Sequence, residues 1–193
     1  MQREQNKIHL LTLTGIMAAL ITLFTAYIVH IPVGTNGGYV HLGDALIYLA
    51  AAILPMPYAM AAGAIGGGLA DLLTAPMWTG ATVIIKMLIV LPFTSKNTKI
   101  LCRRNLIAPI LSFFISAIGY YIADIVLFDA KAALIASIFG SFVQSGGSAA
   151  FFYFMAVAFD RANLKSMLAV RKIRVVAPAD RRQAERINGD YKD

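Results

Sequence analysis

GGYVHLGDALIYLAAAILPMPYAMAAGAIGGGLADLLTAPMWTGATVIIK, residues 37–86, decides the fold. The stretch is too apolar for a water-soluble domain, yet Asp44, Asp71 and Lys86 stand inside or at the mouth of its apolar runs. A charge against hydrocarbon is costly, so such residues face a cavity, a partner or a substrate. Gly63, Gly66, Gly67 and Gly68 lie between two of them, where a helix must let another backbone come close. The stretch reads as the outward-facing half of a small-molecule site in a membrane bundle.

Composition agrees. The 193 residues are 59% hydrophobic and 14% charged, against roughly a quarter charged in a globular protein, and the mean hydropathy is +0.70. One membrane domain, residues 1–165, is expected, with a basic cytoplasmic tail over 166–193. The net charge of +7 does not point to nucleic acid. Of 17 Lys and Arg, only Lys86 and Lys131 fall outside the N-terminus, the 96–104 loop and the C-terminal tail. That distribution follows the positive-inside rule and suits anionic lipid headgroups, and no aromatic-interleaved basic surface for RNA or DNA accompanies it. Cys102, the single cysteine, excludes an internal disulfide framework and reads as a surface thiol.

Six apolar segments follow in order: Ile8 to Ile31, Leu42 to Leu54, Tyr58 to Leu73, Thr79 to Phe93, Leu106 to Leu127 and Ala132 to Phe159. The fold class expected is therefore an all-α integral membrane protein with six transmembrane helices and both termini cytoplasmic. The first segment is too long for a signal peptide. The second is short for a spanning helix and leaves a re-entrant path as an alternative. Pro32 ends the first helix and GTNGG forms the loop after it. The final DYKD is similar to the start of an epitope tag, a native terminus being the equal alternative.

Counting depth from each helix end at about 1.5 Å per residue puts Asp44, Asp71, Lys86 and Asp124 in the outer half of the bundle. None of the ionisable groups falls in the inner half. A water-accessible pocket open to the outside follows, with Tyr39, His41, Tyr48, Trp78, Tyr120 and Tyr121 at similar depth as stacking walls. Gln144 stands midway along the sixth segment, next to Ser145-Gly146-Gly147-Ser148. The candidate substrate-binding set is Tyr39, His41, Asp44, Asp71, Trp78, Lys86, Tyr121, Asp124 and Gln144. Each has a plainer reading. Asp44 can cap the second helix, Lys86 can pair with Asp71 or Asp124 only to be satisfied, and Gln144 can bond another helix with no ligand involved.

No phosphate-binding loop, HExxH or GxSxG setting is present. All three histidines stand at or before position 41, so the SGGS run lacks a partner base. Neither an enzyme nor a resident metal or cofactor is expected. Gly15 and Ala19, with Ala18 beside them, give the first helix a small-residue face for close packing or for docking another membrane protein.

With its six segments in about 190 residues, GYVHLGD at 38–44, GAIGGGLADLL at 63–73 and the TVIIK stretch ending at Lys86, the sequence resembles the substrate-binding S components of energy-coupling factor (ECF) transporters, over roughly residues 8–165. The 37–86 block looks most like the branch associated with hydroxymethylpyrimidine and pyridoxine-type ligands. The resemblance implies a vitamin receptor of the prokaryotic plasma membrane, without enzymatic activity. Its ligand would be held near the outer face and delivered to a transmembrane coupling subunit bearing two ATPases. It also implies docking through small residues of the first helix, here Gly15 and Ala19 in place of an Ala-x-x-x-Ala pair. The competing class is a self-sufficient ion-coupled secondary transporter, which normally shows inverted repeats; GYVHLGD and GYYIAD at 119–124 echo each other only faintly.

Overall fold

Glycine placement explains how the helices come together. The computed structural model describes residues 2–28, 30–32, 39–129 and 134–168, except for the side chains of residues 2, 3, 5, 32, 39, 40, 136 and 137. The helices are α1 (Gln2–Leu23), continued by a wider π turn at Phe24–Ile28, then α2 (Gly43–Ile53), α3 (Met56–Thr74), α4 (Thr79–Leu88), α5 (Arg103–Phe128), α6 (Leu134–Arg161) and α7 (Leu164–Leu168). Two short strands, β1 (His30–Pro32) and β2 (Tyr39–His41), pair antiparallel with His30 opposite His41.

Helix α3 lies between α1 and α4, and its glycines face both. A Cβ on Gly66 would stand 2.7 Å from the Ala18 carbonyl oxygen of α1. One on Gly67 would stand 2.8 Å from Lys86 Cγ, and one on Gly63 would stand 3.1 Å from the Lys86 carbonyl oxygen, both in α4. Thr22 uses the close approach to donate from Oγ1 to the Gly66 carbonyl at 3.0 Å. Pro57, in the first turn of α3, sits where its missing N–H costs nothing.

The core is built on α2, which is buried along almost its whole length. Tyr48 stacks on Phe93 with ring centroids 4.9 Å apart and meets Phe152 edge-on at 6.0 Å. The outside of the bundle is as apolar as the inside: Ile135 and Val126 are 81% and 75% exposed, with Ile8, Phe139, Phe142 and Phe154 beside them in the same class. Such a surface belongs in lipid. Among the described residues, three helices are long and apolar enough to cross a membrane: Asn6–Ile28, Arg103–Phe128 and Ile138–Arg161.

The structure redraws several sequence boundaries. All six expected segments contain a helix, but α2 and α4 have only 11 and 10 residues, so they rise about 16 Å and 15 Å, half of a hydrocarbon core. The fourth segment leaves the helix at Leu88 rather than at Phe93 and closes in turns. The first helix ends before Pro32, which joins a strand, so an all-helical description omits the β1–β2 hairpin.

At the far end from the hairpin, polar side chains hold the basic loop. Asp160 accepts the backbone N–H groups of Ile100 at 2.7 Å and Leu101 at 3.0 Å. Asn105 accepts from Thr94 N–H and donates to the Thr94 and Ile100 carbonyls. Arg104 donates to the Leu91 and Pro92 carbonyls, closing the open end of the α4 turns. Within the tail, the described part is the helix α7, whose Leu168 carbonyl lies 3.1 Å from His9 Nε2 of α1; the expected tail beyond 168 lies outside the described residues.

Candidate functional site

Three helices each contribute one polar side chain to a single buried point. Asp44 stands one residue into α2, just past the hairpin. Its Oδ1 accepts from Lys86 Nζ of α4 at 2.6 Å, and its Oδ2 accepts from Gln144 Nε2 of α6 at 2.8 Å. Lys86 and Asp44 are fully buried. The N-cap position of α2 is Leu42, and Asp44, inside the first turn, accepts from two other helices. Lys86 pairs with Asp44.

The hairpin end closes over this point. His41, buried in β2, accepts the Gly43 N–H at Nδ1 at 3.0 Å. That bond requires an unprotonated Nδ1. Burial, helped by the Lys86 ammonium and outweighing the opposite pull of Asp44, pushes the imidazole from its ordinary 6.5 down to about 3. Gly43 has no room for a side chain, since a Cβ there would collide with Thr25 Oγ1 of the π turn. The HLGD sequence therefore turns the chain from strand to helix while keeping His41 and Asp44 on one side of the π turn.

Aromatic groups extend the site sideways along α4 and α5. Lys86 Nζ lies 5.5 Å from the Tyr120 ring centroid, within cation–π range. The Tyr120 hydroxyl meets Thr82 Oγ1 at 3.3 Å. Trp78 packs edge-on to Tyr120 at 5.9 Å and against Phe128 at 5.5 Å. Asp71, buried on α3, is close enough to act electrostatically on both Lys86 and Tyr120. A continuous path thus runs Gln144, Asp44, Lys86, Tyr120, Trp78, with His41 above the first pair and Asp71 behind the third and fourth members.

Of the residues expected from the sequence, Asp44, Lys86 and Gln144 meet directly, His41 and Asp71 lie beside them, and Trp78 joins through Tyr120. Asp124 is buried one turn beyond Tyr120, and Tyr121 is half-buried on the neighbouring face of α5. The side chain of Tyr39 lies outside the described residues. Thr82 was not read from the sequence, and Tyr120, read there as a stacking wall, stood outside the candidate set. Their signal was helical spacing: Thr82 stands four residues before Lys86 and Tyr120 four before Asp124, each on the same face as its partner. The small residues of α1 divide. Gly15 and Ala19 are exposed, with nothing within 4 Å of a Cβ built on Gly15, whereas Ala18 is buried against α3, where Gly66 approaches it. Ala18 is thus packed inside the bundle.

A family model described as ECF-type riboflavin transporter, S component, matches residues 5–161. Among curated proteins, an uncharacterised protein of Pyrococcus woesei is 29% identical over 123 residues, which cover 63% of this chain and 82% of that protein.

Proposed function

The chain belongs to the S-component family of ECF-type transporters, and from that premise we propose that it is a high-affinity receptor for a vitamin-sized heterocycle, held beneath the hairpin among α2, α4 and α6. Membership makes it a membrane-embedded, substrate-binding subunit of a vitamin transporter. The finer reading is that it delivers its ligand to an ATP-driven module, a transmembrane coupling subunit with two ATPases, in a prokaryotic plasma membrane. Six segments with both termini cytoplasmic fit this reading, because the basic residues gather at the end away from the hairpin.

The observation that carries the proposal is the Asp44–Lys86–Gln144 contact. A buried ion pair contributes little net stability compared with apolar residues of the same volume. The fold does not need charge there, but recognition of a polar heterocycle does, and the Tyr120–Trp78 rings beside it supply a stacking surface. His41, Asp71, Asp124, Tyr39 and Tyr121 complete the proposed walls, and Gly15 and Ala19 the docking face for the coupling subunit.

Riboflavin is the first ligand to test, since the matching family carries its name; hydroxymethylpyrimidine and pyridoxine, suggested by the 37–86 block, compete in the same assay. The protein purified alone in detergent is denatured and the released small molecules are identified by mass spectrometry, then each vitamin is titrated onto the emptied protein. One tightly held vitamin per chain is expected. An empty protein that binds none of the three, but takes up solute in liposomes on a proton or sodium gradient without partners, would make it a secondary transporter instead.

A further inference from the structure

One helical turn beyond the Asp44–Gln144 contact, three hydroxyls are buried without a hydrogen-bond partner among the described residues: Tyr48 on α2, and Ser145 and Ser148 on α6. Their register places them together. Tyr48 follows Asp44 by four residues and Ser148 follows Gln144 by four, so the contact between Asp44 and Gln144 is succeeded, one turn deeper, by Tyr48 facing the serines. The Tyr48 ring packs on Phe152, one turn further along α6, at 6.0 Å. Tyr48 and Ser145 come close enough to interact, but no hydrogen bond of good geometry joins them.

Helical hydroxyls elsewhere in the chain divide: those of Thr25, Thr79 and Ser116 are also buried without a partner among the described residues, each apart from the others. Thr14 and Thr74 each donate to the carbonyl four residues earlier, the usual local solution for a hydroxyl in an apolar helix. Ser145 and Ser148 do not take it. A buried hydroxyl left unpaired is unfavourable, and three in one place mark a position where a partner belongs.

The chemistry of that partner follows from what surrounds it. Asp44 already uses one oxygen on Lys86 and the other on Gln144, so no net charge is left to face the three hydroxyls. The Phe93 and Phe152 rings pack on Tyr48. Each hydroxyl offers one donor and two acceptor positions. We propose that Tyr48, Ser145 and Ser148 form a subsite for an uncharged, hydrogen-bonding edge of the ligand, such as a ring carbonyl with its neighbouring N–H or a hydroxymethyl group, and that an ionised group is refused there for want of a counter-charge. The subsite rests on the receptor reading above and assigns which end of the ligand enters first.

The test uses the full chain with riboflavin, hydroxymethylpyrimidine and pyridoxine as probes, comparing wild type with Tyr48→Phe, Ser145→Ala and Ser148→Ala. Removing a hydroxyl that has no partner among the described residues leaves the melting temperature of the emptied protein unchanged or raises it. Affinity for the vitamin that the wild type binds falls about 3- to 10-fold per hydroxyl. The two serine variants keep the test valid should Tyr48→Phe fail to fold. Undiminished affinity in the variants overturns the subsite, as does a parallel loss of affinity and ligand-free stability, which would make the hydroxyls structural. A wild type that binds none of the probes removes the receptor reading and the subsite with it.

Discussion

At the scale of single residues, Asp44 bears the largest consequence. It satisfies an ammonium and an amide that have no water to turn to. Asp44→Asn keeps the shape but leaves Lys86 charged and unpaired, and is expected to cost about 3–5 kcal/mol, read as a lower unfolding temperature in detergent. Pairing it with Lys86→Met removes the stranded charge and restores most of that stability, while vitamin binding stays lost if the ion pair orients the ligand; normal binding by the double variant would confine the pair to structure. His41 makes a pH prediction. Its imidazole is neutral when folded, with its proton affinity pushed down from 6.5 to about 3, so between those values the unfolded chain binds a proton that the folded chain refuses. Stability from this group is complete above pH 6.5 and drains as pH falls toward 3, by about 1.4 kcal/mol per pH unit. Unfolding measured from pH 7.5 to 5 should show that slope in the wild type and a shallower one in His41→Gln; equal slopes would dismiss the assignment. The polar residues themselves were legible in the sequence because charge in an apolar run has few uses. Their pairing was not, since spacing along one helix does not reveal the rotation of another, and Lys86 had three acids within plausible reach.

The elements show the same division between what a linear pattern carries and what packing adds. Each of the six apolar runs contains a helix, because hydrophobic length is a local property, but the first helix starts at Gln2 rather than Ile8 and the fourth ends at Leu88 rather than Phe93. The hairpin was missed: HIP and YVH are three-residue strands, too short to display alternation, and they exist through pairing with each other. The glycines of α3 were read as sites of close approach without knowing which neighbour each one served. Gly66 faces backbone and Gly67 faces a side chain, so the two should respond differently to the same change. Gly66→Ala sets a methyl 2.7 Å from the Ala18 carbonyl oxygen, which only a separation of α1 from α3 relieves, and a loss of about 1–3 kcal/mol is expected. Gly67→Ala presses on Lys86 Cγ at 2.8 Å. The lysine stem can yield and the alanine gains up to about 1 kcal/mol in helix propensity, so stability changes little while vitamin affinity falls. If Gly67→Ala proves the more destabilising of the two, the division of α3 into a backbone-facing and a site-facing side is wrong.

On the scale of the whole molecule, the bundle has two ends and a lipid-facing flank, and the site occupies one end only. Asp44, Lys86, Gln144 and His41 gather under the hairpin, while Asp160, Asn105 and Arg104 fix the loop at the basic end. On the proposed reading, ligand capture and exchange with a coupling module fall to separate parts of the molecule, which a single chain can be made to report independently. Gly15 and Ala19 lie exposed on α1, and a Cβ built on Gly15 meets nothing within 4 Å. Leucine at both positions consequently disturbs no contact inside the bundle. Unfolding temperature and vitamin affinity of Gly15→Leu/Ala19→Leu should match wild type. A partner helix that packs closely on this face would be held away by the added side chains, because membrane helices associate through small residues that let backbones approach. Co-expressed with the proposed module, a transmembrane coupling subunit and two ATPases, the variant should bind vitamin, fail to co-purify with the module and lose ATP-dependent uptake. Retained co-purification at the wild-type level would place the docking face elsewhere on the bundle, whereas loss of vitamin binding together with docking would mean that the α1 face and the site are one structural unit.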